Sequence, residues 1–404
     1  MMLKTNSLGI AIWSVLLSAA PVGAQVSAPR ESAQVELGPL ALYPTVQLLN
    51  AGVDDNVFND GNAPQRDNTL TVESRVLAVL RLGSNELLFR VGSNYVWFQE
   101  FSSERSNNPG YALRFNLSAS RFKPFIGAEY NRTSERRGPE IDTRARRTER
   151  VALTGLGFDL TPRTALVASL RLDETDYDDG EAFRGVALDE ELNRSGRGAD
   201  AGMRYAITPL TSMTVTAGYE EQIFKQSHLR DLKRYVVGPT FEFSPEAAIR
   251  GRASAVFELF RPEDPALAET KGIAYQAAVS WTLYGRTTFD FEAGRNISYS
   301  YQDTEPYYLL TDVRLIVNQP LAGRVELYGG ADWEHMAYKW RPGSTAGEPD
   351  RVDTAGAIGG GIGVQVGRGF RVRVGVDKMR RRSIVDPLQS FDRTRILTQV
   401  TMGS

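Results

Sequence analysis

Between Asn50 and Asp60 the chain reads NAGVDDNVFND, so Asp54, Asp55, Asn56 and Asp60 set four oxygen-bearing side chains close together. Oxygen at that density could hold calcium, but a calcium loop of the EF-hand type needs Gly at its sixth position and Glu at its twelfth. Counted from Asp54 those positions are Asn59 and Gln65, and the motif fails. The acidic run Asp176-Tyr177-Asp178-Asp179-Gly180-Glu181 reads as a solvated loop tip. Hydrolysis would need an imidazole or a pair of carboxylates in defined places. Only His228 and His335 are available, and neither belongs to a Ser/His/Asp pattern. Asp290 and Glu292, or Glu326, Asp332 and Glu334, could cleave a glycan as acid and base, yet carboxylates at i and i+2 are also what the wetted face of a strand produces. Gly359-Gly360-Gly361-Ile362-Gly363 lacks the lysine of a phosphate loop, and glycine there serves better to relieve crowding in a curved strand. No catalytic residue, metal ligand or cofactor is assigned.

The elements that must carry these residues are strands. Tyr235, Val237, Phe241 and Phe243 alternate with polar positions, as do Tyr275, Ala277, Val279, Trp281 and Leu283. Phe289 and Phe291 flank Asp290 and Glu292; Val372, Val374 and Val376 alternate with Arg371 and Arg373; Ile396, Thr398, Val400 and Met402 follow Arg395 in the same rhythm. Side chains repeat with period two only on a strand. Full charges on one face and large apolar groups on the other describe a wall between water and lipid, which fits an outer-membrane barrel better than a soluble sandwich.

Composition agrees. Hydrophobic residues make up 42% and charged residues 24% of 404 residues, without the apolar excess of a helical membrane protein, and no window after the amino terminus approaches a spanning helix. The 37 glycines, 18 Phe, 16 Tyr and 5 Trp suit β-structure. Cys is absent, which removes disulfides, thiolate metal sites and cysteine nucleophiles. A formal net charge of −2 gives no electrostatic case for nucleic acid. Lys4, the apolar stretch Leu8 to Ala20 and the small residues Val22-Gly23-Ala24 read as a signal peptide over 1–24, cleaved after Ala24. Residues 25–41 then form a short periplasmic leader and 42–404 the barrel.

Eight short connections carry Gly or Pro, from Gly83-Ser84-Asn85 to Gly367-Arg368-Gly369, and longer polar ones separate them, including Arg137–Asp142, Asp178–Asn193 and Trp340–Asp350. Eight hairpins with one further strand at each end predict an all-β, up-and-down antiparallel transmembrane barrel of about 18 strands, with 16 as the neighbouring even number. Phe122, Phe125, Phe158, Phe243, Tyr284, Phe289 and Phe370 crowd the short turns as an interfacial girdle would. Arg144-Ala145-Arg146-Arg147 and Arg380-Arg381-Arg382 abut long connections and are placed on the outer rim, as solvated charged loops or as partners of lipopolysaccharide headgroups or an acidic polymer.

A first strand of the form Tyr43-Pro44-x-Val46-x-Leu48 that runs into Gly52, Asp54, Asp55, Asn56 and Phe58 resembles the outer-membrane β-barrel porin family associated with exopolysaccharide biosynthesis and export. The resemblance implies export of a polysaccharide to the surface of a Gram-negative cell, with a periplasmic polysaccharide export protein as partner and the barrel assembly machinery in biogenesis. It departs from many outer-membrane proteins in ending Val400-Thr401-Met402-Gly403-Ser404 without a terminal aromatic. Candidate lumen-lining residues are Asp290, Glu292, Glu326, Arg371, Arg373 and Arg395. The alternatives are a general diffusion porin for small solutes and a structural or adhesion barrel with a closed lumen. The stretch from Asn50 to Asp60 is read as the point where the first strand passes from lipid level into a polar loop.

Overall fold

The computed structural model describes residues 33–402 apart from 322, 343–350, 368 and 386; the expected signal peptide lies outside the described residues. The strands that form the wall are numbered here in chain order: Leu40–Asp54 (β1), Asp67–Leu82 (β2), Asn85–Phe98 (β3), Ser106–Asn116 (β4), Phe122–Thr133 (β5), Arg147–Asp159 (β6), Thr164–Tyr177 (β7), Arg194–Thr208 (β8) and Thr211–Phe224 (β9). They continue as Leu232–Phe243 (β10), Ile249–Pro262 (β11), Thr270–Leu283 (β12), Thr287–Tyr299 (β13), Tyr307–Pro320 (β14), Val325–Lys339 (β15), Val352–Gln365 (β16), Phe370–Ser383 (β17) and Phe391–Met402 (β18). Each pairs antiparallel with the next, and β18 pairs with β1, so the sheet is a closed barrel. The short piece Val35–Leu37 only folds back on Leu40–Leu42, which makes β1 begin two residues before the sequence boundary at 42.

Closure is what a lipid environment demands, because an open edge would leave unpaired N–H and C=O groups in hydrocarbon. The outward rows are apolar and bare: Ile126, Leu172, Ile273, Ile358 and Ile396 are each at least 60% exposed. The alternate positions point inward and include charged residues, such as Arg171 and Asp173 on either side of Leu172 and Arg395 before Ile396. Short turns lie at one end and long loops at the other. Tyr284 and Gly285 both take positive φ, of 49° and 67°, the conformation that matches a tight turn to strand twist. Phe122 and Phe158 pack ring to ring at 4.8 Å, and Trp281 stacks on Phe289 at 5.6 Å, both pairs on the outward rows. Phe125 leaves that girdle. It stands at an odd offset from Phe122, so strand alternation turns it inward, where it is buried beneath the Arg114 guanidinium, 4.0 Å from its ring centre.

The seam between β1 and β18 holds the stretch the sequence singled out. Between Leu48 and Ala51 the register with β18 slips by one residue, and Asn50 takes φ 53°. One extra residue moves the following side chains to the other face. Before the bulge Ala41, Tyr43 and Thr45 are the buried inward residues; after it Gly52 and Asp54 face in. A Cβ on Gly52 would stand 2.0 Å from the Ile396 carbonyl oxygen, so only glycine lets the two strands approach. Asp54 is buried and accepts from Arg393 Nε at 2.9 and 3.1 Å and from its Nη2. Removing one partner of such a pair costs about 3 to 5 kcal/mol. Asn56, also buried, donates to the carbonyls of Asp60 and Asp392 and accepts from the Asp60 N–H at 2.9 Å. Asp55 accepts from the Thr394 N–H at 2.6 Å, and Phe58 meets Phe101 edge to face at 4.8 Å. The stretch is therefore a knot that ties the first strand to the last, where the sequence alone reads as an exit into a polar loop. Gly52→Val is expected to block closure, read as loss of the fast-migrating band of an unheated sample on a denaturing gel; a retained fast band would refute this account of the seam.

Candidate functional site

The site is the lumen, and its form depends on the connection from β5 to β6. Residues 134–146 fold inward instead of standing at the mouth. In a ring of eighteen strands the β5/β6 junction lies opposite the β14/β15 junction, and the loop reaches it. Glu140, 2% exposed, accepts from Ser300 Oγ at 2.6 Å and from Tyr338 Oη, and Arg351 Nη2 stands 3.4 Å from it. The Pro139 carbonyl accepts from Arg381. At the near end Arg136 pairs with Asp142 at 2.9 Å and donates to the Val57 carbonyl at 2.6 Å. Asn59 donates to Asp142 at 2.7 Å and accepts from Arg393 at 3.1 Å, and Arg144 pairs with Glu104 at 2.9 Å while lying over the Phe98 ring. The knot at the seam is thus also the dock for this loop, and the loop is a strut pinned to both walls.

Above it the other long connections close in. Arg230, fully buried, donates to the carbonyls of Ser300 and Tyr301 at 3.0 Å and pairs with Asp303 at 2.9 Å and with Glu191. Ile141 at the tip of the strut packs into a buried apolar group with Leu188, Leu192, Phe224 and Tyr299. Arg137 lies 4.7 Å from the Tyr299 ring centre. Around the strut lie two main cavities, the smaller of about 260 Å³ against β1–β3 and β15–β18 and the larger of about 420 Å³ against β9–β15, with a third of about 100 Å³ against β2–β6.

Each of the six residues singled out as lining stands on an inward row, and four of them join in one network toward the short-turn end. Asp290 accepts from Asn318 Nδ2 at 3.2 Å, Asn318 accepts from Arg373 Nη2 at 2.9 Å, and Glu326 takes Arg373 at 2.8 Å and Arg371 at 3.6 Å. Glu292 pairs instead with Arg314 at 3.2 Å, and Arg395 with Asp377 at 2.9 Å. The glycine-rich strand accounts for the room this network needs. A Cβ on Gly363 would meet Glu326 Oε1 at 2.6 Å, and one on Gly361 would meet Tyr328 Oη at 2.7 Å, so both side chains lie flat on a wall stripped of its own. The Arg373 guanidinium then sits 4.9 Å from the Tyr328 ring centre.

The basic clusters split by strand alternation instead of lying together on the rim. Arg381 is buried and pairs with Asp353 at 2.7 Å, while Arg380 and Arg382 face outward and share Asp392. Arg147 is buried on Glu149. His228 lies in an exposed loop beside Asp231, and His335 is on an outward row, stacked on Trp333 at 5.7 Å; the two are not brought together. Among the described residues no group of three or more His, Cys, Asp or Glu is placed to hold a metal ion. What sequence reasoning missed is the strut with Arg136 and Glu140, together with Arg393; Arg144, placed on the rim from the sequence, lines the smaller cavity instead. The strut's only mark is an acid pair, Glu140 and Asp142, set between basic runs.

The family model described as "Putative beta-barrel porin 2" matches residues 29–403, and the chain belongs to that family. It is an outer-membrane β-barrel of porin type. No curated protein matches. Among solved structures the chain is similar to the outer membrane protein opdK from Pseudomonas aeruginosa, at 12% identity and a TM-score of 0.49, covering 90% of this chain and 99% of that one. It is similar to OccK2 (OpdF) of the same organism in complex with glucuronate, at 11% identity and 0.49, covering 90% and 98%. It also resembles the FrpB iron transporter from Neisseria meningitidis, at 11% identity and 0.45, where it covers 86% of this chain but spans only 63% of that one.

Glu140→Ala is expected to free the tip of the strut, read as new trypsin cleavage after Arg136 or Arg137 in a barrel that keeps its fast gel band; unchanged resistance would show that the far anchor does not hold it. Burial raises the carboxyl of Glu305, in the loop after β13, from its ordinary 4.5 to about 7, against the pull of Arg351 at 3.1 Å. Between those values the folded chain keeps a proton that the unfolded chain has lost, so this contribution to stability is complete below about 4.5 and is lost as pH rises through about 7. Glu305→Gln should flatten that part of the pH profile of hydrogen exchange in the outer loops, and an unaltered profile would count against it.

Proposed function

We propose that this member of the family is a passive diffusion channel for small hydrophilic solutes across the outer membrane. The observation that carries the reading is the strut: it runs into the lumen, is pinned by polar contacts at both ends, and leaves only separate small cavities around it. Cavities of a few hundred Å³ are of the scale that holds one small molecule. Inward charges that neutralise one another along the wall make many weak contacts, and permeation needs weak contacts because a solute held tightly does not leave.

Export of an exopolysaccharide with a periplasmic partner, the expectation the first-strand motif carried, asks more of the same lumen. The strut would have to leave, and Glu140 would give up Ser300, Tyr338 and Arg351, while Arg351 and Arg381 keep Asp353. Removing one member of a buried ionic network costs several kcal/mol. A closed structural barrel asks less, since the outer loops already pack over part of the mouth, and it is the outcome that an absence of permeation would favour.

Liposomes carrying the purified barrel separate these. Swelling in isotonic mono- and disaccharides, with none in a dextran of polymer size, is the expected result. No swelling in any solute would overturn the channel reading, and passage of the dextran would return the polymer reading to first place. Glu140→Ala should speed swelling several-fold by loosening the strut.

A further inference from the structure

Beneath Gly138 and Pro139 of the strut, Asp332 and Glu334 of β15 line both cavities. Asp312 of β14 lies directly opposite Glu334 in the ladder, and Asp312 lines the larger cavity. Like charges in directly opposed positions repel, so this pairing weakens the wall it belongs to. Asp54 and Asp67 are opposed in the same way, but Asp54 is answered by Arg393 and Asp67 by backbone N–H groups, and elsewhere the lumen sets acid against base, as in Glu326 with Arg373 or Asp377 with Arg395.

Glu334 is the more telling of the two. Its residue is 6% exposed, yet its carboxylate makes no hydrogen bond and no ion pair among the described residues. Asp312 has none either, and it leans into space that Gly294 leaves vacant, where a Cβ would stand 2.5 Å from Asp312 Oδ1. Asp332 accepts only the Ala357 N–H, at 3.0 Å. Cations are near but engaged elsewhere: Arg314 on Glu292 at 3.2 Å, Arg381 on Asp353 at 2.7 Å and Arg395 on Asp377 at 2.9 Å. A buried carboxylate without a donor is costly, so one that is kept and turned toward a cavity asks for a donor from outside.

We infer that Glu334, with Asp312 and Asp332, forms a subsite in the lumen for the ammonium or guanidinium group of an organic cation. The three carboxylates do not converge as metal ligands do, which disfavours a small divalent ion and suits a group whose several N–H donors point apart. The walls beside the subsite supply the remaining recognition. Met379 and Val96 border the smaller cavity, and Leu310 and Tyr308 the larger, so an aliphatic chain can lie along either side while its charged end meets Glu334. Basic amino acids and short alkyl diamines have that form. Binding stands on the geometry alone; permeation of the cation rests on the channel reading given above.

The test uses 1,5-diaminopentane as probe and the full barrel in detergent. Calorimetric titration should detect saturable binding that Glu334→Gln weakens at least tenfold and Asp312→Asn weakens less, with both variants keeping the fast gel band. In planar bilayers with a potassium chloride gradient, Glu334→Gln should also lower the cation-to-anion permeability ratio several-fold. Equal affinity in the wild type and Glu334→Gln, or no saturable binding at all, would overturn the subsite. Binding by a barrel that does not conduct would keep the subsite and remove the channel reading; conduction without binding would do the reverse. If Glu334→Gln fails to fold, Asp312→Asn carries the comparison by the same measures.

Discussion

Everything in this molecule depends on closing the ladder between its first and last strands. In hydrocarbon an unpaired backbone edge has no water to turn to, so a sheet of this size is viable only as a ring. The ring closes at β1 and β18 through a bulge at Asn50, a glycine at 52 with no room for a side chain, and the buried pair of Asp54 with Arg393. Two elements far apart in sequence meet there; the Thr69 hydroxyl donates to the Asn50 carbonyl at the bulge, and Asp54, Asp55 and Asn56 satisfy backbone groups just beyond it.

The same knot organises the interior. Asn59 and the Val57 carbonyl, held in place by the seam, receive Asp142, Arg136 and Arg144 at the base of the strut. From there the strut continues to Glu140 and its partners Ser300, Tyr338 and Arg351, across the lumen from its own origin at β5. Closure and constriction are thus mechanically linked through a few residues of one segment, and a barrel that failed to close would also lose the dock for its own constriction.

Charge inside the lumen follows a simple economy. Many inward carboxylates are met by arginines on their own strand or one or two strands away, and glycine-lined wall on β16 gives long side chains somewhere to lie. Against that background the unpartnered Glu334 and Asp312 are conspicuous, because the fold could have answered them as it answers Glu326 and does not. Arginine suits the paired role since its charge is permanent and its planar donors match a carboxylate.

The fold was legible in the chain because period-two alternation between bare apolar groups and full charges has one physical solution, a wall with lipid on one side and water on the other. Turn residues such as Tyr284-Gly285 then punctuate it into hairpins, and the alternation alone places Asp290, Glu326, Arg371, Arg373 and Arg395 on a common side. Where that local rule breaks, the reading breaks with it. The bulge at Asn50 shifts the phase, so Gly52 to Phe58 could not be placed; Phe125 was assigned to the girdle by proximity when its parity turns it inward; and Arg380-Arg381-Arg382 looked like one patch while alternation divides it. The strut was illegible for a deeper reason. Whether residues 134–146 stand outside or fold inward is decided by Glu140 meeting Ser300, Tyr338 and Arg351, contacts between parts of the chain separated by more than a hundred residues. Local spacing determines which face a side chain takes, and only closure of the ring determines what it faces.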